Sequence, residues 1–149
     1  MTESEFKDRT LRAALRIVRL VEVLPRTRTA DVIGRQVLRS GTSVGANYRA
    51  ACRAVSTADM ISKLGDVEEE SDETLYWLEL LAKSGTVPTQ RLAELSAEFD
   101  EILRMVVASI RTLRVRNPKS KIGNRKFQMS LSRRKQPVKD KSAGIILLG

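Results

Sequence analysis

Six carboxylates fall within eight positions of this 149-residue chain: Asp66, Glu68, Glu69, Glu70, Asp72 and Glu73. Paired acids of this kind can do general acid–base work or hold two metal ions between helices. Carboxylate metal sites in helical bundles, however, draw Glu and Glu-x-x-His from several facing helices. This chain has no histidine and only one acid-rich segment, so the cluster reads as a solvated face, or as a face meeting arginines of another helix or subunit. The missing imidazole also removes the commonest general base and transition-metal ligand. The lone cysteine, Cys52, has no histidine to activate it, and a single cysteine excludes an internal disulfide and fits a reducing cytoplasm. No phosphate-cradling GxGxxG or GxxxxGK motif occurs. The residues therefore point to a protein that is not an enzyme and needs no cofactor or metal.

The remaining chemistry is that of phosphate neutralisation. The net charge is +9, but it is unevenly spread. From Arg114 onward eleven Lys or Arg residues face one acid, Asp140, whereas positions 1–113 carry sixteen bases and seventeen acids. A near-neutral body thus carries a cationic arm. Arg114, Arg116, Lys119, Lys121, Arg125 and Lys126 put six positive charges within thirteen positions without an acid, and Arg133, Arg134 and Lys135 add a second cluster. Arg39, Arg49 and Arg53 are second-rank candidates, because neighbouring acids could neutralise them. Such cations bind nucleic acid with steep salt dependence and little sequence choice. RNA is the favoured partner, and no aromatic platform for base reading is evident.

These residues must be positioned by helices. The stretch Leu38–Ser56 is the centre of the pattern, with Val37, Gly41, Val44, Tyr48, Ala51 and Val55 making a seam at helical spacing. Its small residues, Ser40, Gly41, Ser43, Gly45, Ala46, Ala50 and Ala51, predict close approach of neighbouring backbones. Gly41-Thr42-Ser43 taken alone would also suit a loop, but the seam continues in phase on both sides. The first helix is expected from about Ser4 to Leu24, capped by Thr2 or Ser4 and ended by Pro25, with Arg9, Arg12, Arg16 and Arg19 as a basic stripe. That stripe reads as a solvated face or as partners of a neighbour's acids. The second helix is expected from Ala30 to Val55, capped by Thr29 or Asp31. A third follows from Thr57 to Lys83, capped by Ser56 or Thr57, with Ser84-Gly85 as its stop. The fourth runs from Thr89 to Leu113 on the heptad Leu92, Leu95, Phe99, Ile102, Val106, Ser109 and Leu113.

The expected fold is all-α, an antiparallel up-down-up-down four-helix bundle over 1–113, followed by a flexible, disordered basic arm over 114–149. The arm is broken by Pro118, Gly123 and Pro137 and ends in the apolar AGIILLG. No apolar run reaches eighteen residues and the N-terminus is polar, so neither a membrane span nor a signal peptide is expected, and the expected compartment is the cytoplasm.

The segment from Leu38 to Leu81 resembles the bacterial four helix bundle protein family, also known as the 23S rRNA intervening-sequence proteins. The family pattern is L-R-x-x-x-S-V/I-x-A-N followed by a charged turn and an acidic E-x-x-E-x-x-x-W/L helix. It is matched by Leu38, Arg39, Ser43, Val44, Ala46 and Asn47, then by Glu69, Glu70, Glu73, Tyr76, Trp77 and Leu78. The likeness covers about residues 5–115. It implies an antiparallel four-helix bundle that assembles as a homopentamer, with no enzymatic activity. Some members are encoded by insertions within 23S rRNA genes, and distant relatives, the accessory proteins of diversity-generating retroelements, bind a reverse transcriptase and nucleic acid. The alternative to nucleic-acid binding is therefore a protein–protein scaffold or accessory subunit, whose partner would be a protein such as a reverse transcriptase. The arm from Arg114 lies beyond the family pattern.

Overall fold

A computed structural model describes residues 1–118, which form four α-helices and no strand. The basic-arm positions Lys119, Lys121, Arg125 and Lys126, and the second cluster at Arg133, Arg134 and Lys135, lie outside the described residues.

Helix α1 spans Glu3–Glu22. Thr2 caps it in a reciprocal box: the Glu5 N–H donates to Thr2 Oγ1 at 3.2 Å, and the Thr2 N–H donates to Glu5 Oε2 at 2.6 Å. The helix ends two residues short of the expected Leu24, because Pro25 forces the preceding residues out of helical geometry.

Helix α2 spans Arg28–Ala51. Its cap is Thr27, whose hydroxyl accepts from the Ala30 N–H at 3.1 Å, rather than Thr29 or Asp31. The helix starts earlier than its apolar seam, so those two residues fall inside the first turn, where Asp31 suits the positive helix end. The end also comes early. Val55 is 92% exposed rather than part of the seam. Local bonding draws residues 52–56 into the start of the next helix: Ser56 Oγ accepts from the Asp59 N–H, and Asp59 Oδ2 accepts from the Val55 N–H, each at 3.1 Å.

Helix α3 spans Thr57–Lys83, as expected, and stops where Gly85 adopts a left-handed φ of +72°. Helix α4 spans Thr89–Arg116, three residues beyond Leu113, so Arg114 and Arg116 are helical rather than part of a coil. Its inward register departs from the expected heptad after Val106. Ile110 is buried in place of Ser109, whose hydroxyl turns back to the Met105 carbonyl at 2.9 Å. Leu113 is only half-buried.

Helix α2 packs between α1 and α3, α4 lies along α3, and α1 meets α4 through a thinner contact. Phe99, Ile17, Leu78, Leu81 and Ile102 are the largest fully buried side chains. The glycines of α2 face α1. A Cβ on Gly45 would lie 3.3 Å from Thr10 Oγ1, and one on Gly34 would lie 3.0 Å from Leu24 Cδ1. Between α2 and α3 the small residues serve a polar link, in which Ser40 Oγ and Thr74 Oγ1 lie 2.9 Å apart, both buried.

Candidate nucleic-acid interface

Arg39, a second-rank sequence candidate, is neutralised by neighbouring acids. It stands on the outer side of α2 opposite the acidic face of α3. Its Nη1 donates to both carboxylate oxygens of Glu70 at 3.2 Å, and its Nη2 to Glu73. Glu73 also accepts from Trp77 Nε1 at 3.0 Å. The Arg39 bond holds the Glu73 carboxyl below its ordinary range, with Trp77 adding to the effect, and Glu73 in turn raises Arg39. The two acids that carry the E-x-x-E spacing are therefore the counter-charges of this arginine, and a phosphate would have to displace them.

The basic stripe of α1 is divided in the same way. Arg9 is half-buried; its Nε and Nη2 grip Glu98 of α4 at 2.6 and 3.0 Å, and Nη2 also reaches Glu101. That grip raises the Arg9 guanidinium and lowers the Glu98 carboxyl. Arg16 reaches Glu94 at 3.5 Å, a longer and exposed pairing. Both are partners of a neighbour's acids, one of the two readings the sequence allowed.

Arg49 and Arg53 are different. Both are exposed and have no ion-pair partner among the described residues. They sit where α2 ends, and antiparallel packing brings the start of α1, the start of α3 and the end of α4 to the same end of the bundle. A cavity of about 250 Å³ shows the convergence, because Thr2, Tyr48, Cys52, Met60 and Ser109 all line it. Arg111, Arg114 and Arg116 lie within the next two turns of α4, likewise without an ion-pair partner among the described residues. Three acids of this end are engaged locally, Glu3 with Lys7, Glu5 with the Thr2 N–H and Asp59 with Lys63, whereas Asp8 is exposed without an ion-pair partner among the described residues. Five arginines thus gather on one end, close to the negative ends of α2 and α4, which favour them. Arg111 was not among the sequence candidates, since the expected arm began three residues later. Its signal is the i, i+3, i+5 spacing with Arg114 and Arg116 along a helix that had not yet ended.

Cys52 lines the cavity at this end, half-buried, where burial pushes its thiol up and away from the reactive thiolate form. Burial likewise raises the Tyr48 hydroxyl, whose ring meets Phe6 edge-on at 4.5 Å. Among the described residues no group of three or more His, Cys, Asp or Glu side chains is placed to hold a metal ion. No helix among them is long and apolar enough to cross a membrane.

Residues 2–108 match the family model of the 23S rRNA-intervening sequence proteins. Among solved structures, the chain is similar to a protein of unknown function from the S23 ribosomal protein family of Bacteroides thetaiotaomicron. The two share 38% identity with a TM-score of 0.69, over 74% of this chain and 99% of that one. No curated protein sequence matches the chain. The matched span takes in Arg49 and Arg53 and stops short of Arg111, Arg114 and Arg116. With four helices in antiparallel order and the Leu38–Leu81 signature inside the matched span, the chain belongs to the 23S rRNA-intervening sequence protein family.

Proposed function

We propose that this chain is a non-enzymatic, oligomeric bundle of the cytoplasm that binds RNA through phosphate neutralisation. The observation that carries the reading is the group of five arginines at one end of the bundle, Arg49, Arg53, Arg111, Arg114 and Arg116, without an ion-pair partner among the described residues. In sequence they run directly into Lys119, Lys121, Arg125 and Lys126. Charge concentrated in this way supplies affinity through released counterions and needs no base-specific contact. Assembly into a homopentamer, which the family resemblance implies, would set several such ends on one particle, so that weak contacts add by avidity. Leu11 and Leu15, one turn apart on α1 and each 46% exposed, support a surface that another copy covers.

The second reading is a scaffold or accessory subunit that binds a protein, such as a reverse transcriptase, rather than RNA. Its support is the outer face of α3, where Asp66, Glu69 and Asp72 are exposed and have no ion-pair partner among the described residues. A gel shift with single-stranded RNA, comparing the full chain with a chain ending at Asn117, separates the two. Retarded RNA that is released by salt supports the first reading, and its absence at every protein concentration favours the second.

A further inference from the structure

At the opposite end of the bundle, the last turns of α1 and the first turns of α4 enclose a cleft of about 480 Å³. Its floor is apolar, with half-buried Leu20 and Leu24 and exposed Pro25 over the buried Leu92, Leu95 and Val87. Three guanidinium groups line it, those of Arg16, Arg19 and Arg91, and no carboxylate does. Arg19 and Arg91 are exposed and have no ion-pair partner among the described residues. Arg16 makes one ion pair, at 3.5 Å with Glu94, whose side chain is 90% exposed, and also lies in the field of Glu98, which Arg9 holds. That distance exceeds the span of about 2.7–2.9 Å at which charge-assisted bonds are strong, so an anion displaces Glu94 at little cost.

From these observations we propose that the cleft is a second phosphate-binding site, taking a segment of single-stranded RNA with a backbone phosphate on Arg16, Arg19 and Arg91 and an unstacked base against the apolar floor. The proposal rests on the RNA-binding reading above but uses different residues. Water-exposed arginines over an apolar floor match the two halves of a nucleotide, which is charged on one side and flat and poorly hydrated on the other. Arginine suits both halves, because its planar fork pairs with phosphate and stacks on bases. The α4 N-terminus borders the cleft with Pro88 as its cap, no side-chain hydrogen bond and no acid in the first turn. It adds a partial positive charge to what the arginines already supply. Arg12, without an ion-pair partner among the described residues, continues the line on α1. Arg12 and Arg19 are about 10 Å apart along the helix, so a strand leaving the cleft meets a further cation. The cleft lies about 25 Å along α1 from the arginine-rich end, too far for one phosphate to serve both.

The test uses the full chain and a single-stranded RNA of about twelve nucleotides containing 4-thiouridine. Ultraviolet crosslinking with peptide mapping locates the contacts, and fluorescence anisotropy across a salt series measures affinity. Adenosine monophosphate alone, titrated in parallel, shows whether a free nucleotide suffices or a strand is needed. Crosslinks within residues 16–25 or 86–95 are expected. Arg19→Ser with Arg91→Ser should weaken strand binding roughly ten- to thirtyfold near 0.1 M salt and lower the salt slope by about 1.4. Arg19→Lys with Arg91→Lys should keep most of the slope, and both pairs are exposed, so folding checked by circular dichroism should be unaffected. RNA that binds but crosslinks only elsewhere, with affinity unmoved in the serine variant, overturns the cleft and leaves the wider reading standing. RNA that does not bind at all overturns the wider reading, and the cleft's role with it. Tight binding of adenosine monophosphate without the strand overturns the assignment to RNA and makes the ligand a free nucleotide.

Discussion

Gly41 of α2 lies so close to Ile17 of α1 that a Cβ on it would stand 2.7 Å from Ile17 Cγ1. Ile17 is fully buried and branched at Cβ, so it has no free end to swing aside. The two helices must therefore part if position 41 gains even a methyl group. Gly41→Ala is expected to destabilise the protein by about 1–3 kcal/mol, despite alanine's better helix propensity. Gly45→Leu should cost at least as much, since its Cβ would already meet Thr10 Oγ1 at 3.3 Å. Gly65→Ala provides the control, because nothing lies within 4 Å of a Cβ there. It should stabilise by up to about 1 kcal/mol. Urea melts of the three variants check the set, and a Gly41→Ala protein as stable as the parent would refute the close packing.

Arg39 and Arg49 occupy the same helix but different electrostatic settings. Arg39→Ser removes a cation that Glu70 and Glu73 already neutralise, so RNA affinity should change less than twofold. Arg49→Ser with Arg53→Ser removes two free charges and should weaken binding roughly tenfold or more at about 0.1 M salt. Anisotropy titrations of both proteins decide it. An equal loss in the two would mean that the Arg39 pairing opens for RNA.

The contact between α1 and α4 is expected to respond to acid. Arg9 holds the Glu98 carboxyl below its ordinary value of 4.5 in the folded protein. A depressed carboxyl contributes stability above its unfolded value and loses it as pH falls through the folded value. Stability should therefore decline below about pH 4.5. Arg9→Met should cost about 1–3 kcal/mol at pH 7 and flatten the acid limb of the pH profile, since a half-buried Glu98 then loses its hydrogen-bonded cation and keeps only the weaker fields of Arg16 and Arg12. Urea melts from pH 7 to pH 3 measure it, and parallel profiles for variant and parent would show that Arg9 does not set the acid response.

The helices were legible in the sequence because their seams are regular, and the departures cluster where short-range hydrogen bonding overrides the seam. Val55 continues the spacing of α2, yet the Ser56 and Asp59 caps draw it into a turn. Thr27 caps α2 although the apolar pattern begins only with Ala30. Ile110 replaces Ser109 in the α4 core, because a strict heptad drifts relative to a straight helix and the larger apolar side chain lies next to the seam. The candidate site was legible as charge but not as pairing. Residue types alone do not show that Glu70 and Glu73 face Arg39, or that antiparallel packing brings Arg111 to the end where α2 delivers Arg49 and Arg53. The cleft of Arg16, Arg19 and Arg91 joins residues seventy-two or more positions apart at its α1–α4 seam, a juxtaposition that only the fold supplies.

RNA binding of the proposed kind depends most on phosphate neutralisation by the cations that end α4 and follow it. The direct measurement is RNA affinity against salt for the full chain and for a variant with Arg114, Arg116, Lys119, Lys121, Arg125 and Lys126 replaced by serine. Weaker binding is expected, with a shallower dependence of log affinity on log salt, by up to about 0.7 for each phosphate that is no longer neutralised. Affinity and slope that both survive the six substitutions would contradict phosphate neutralisation by these cations, and the RNA would then be held by other residues of the bundle.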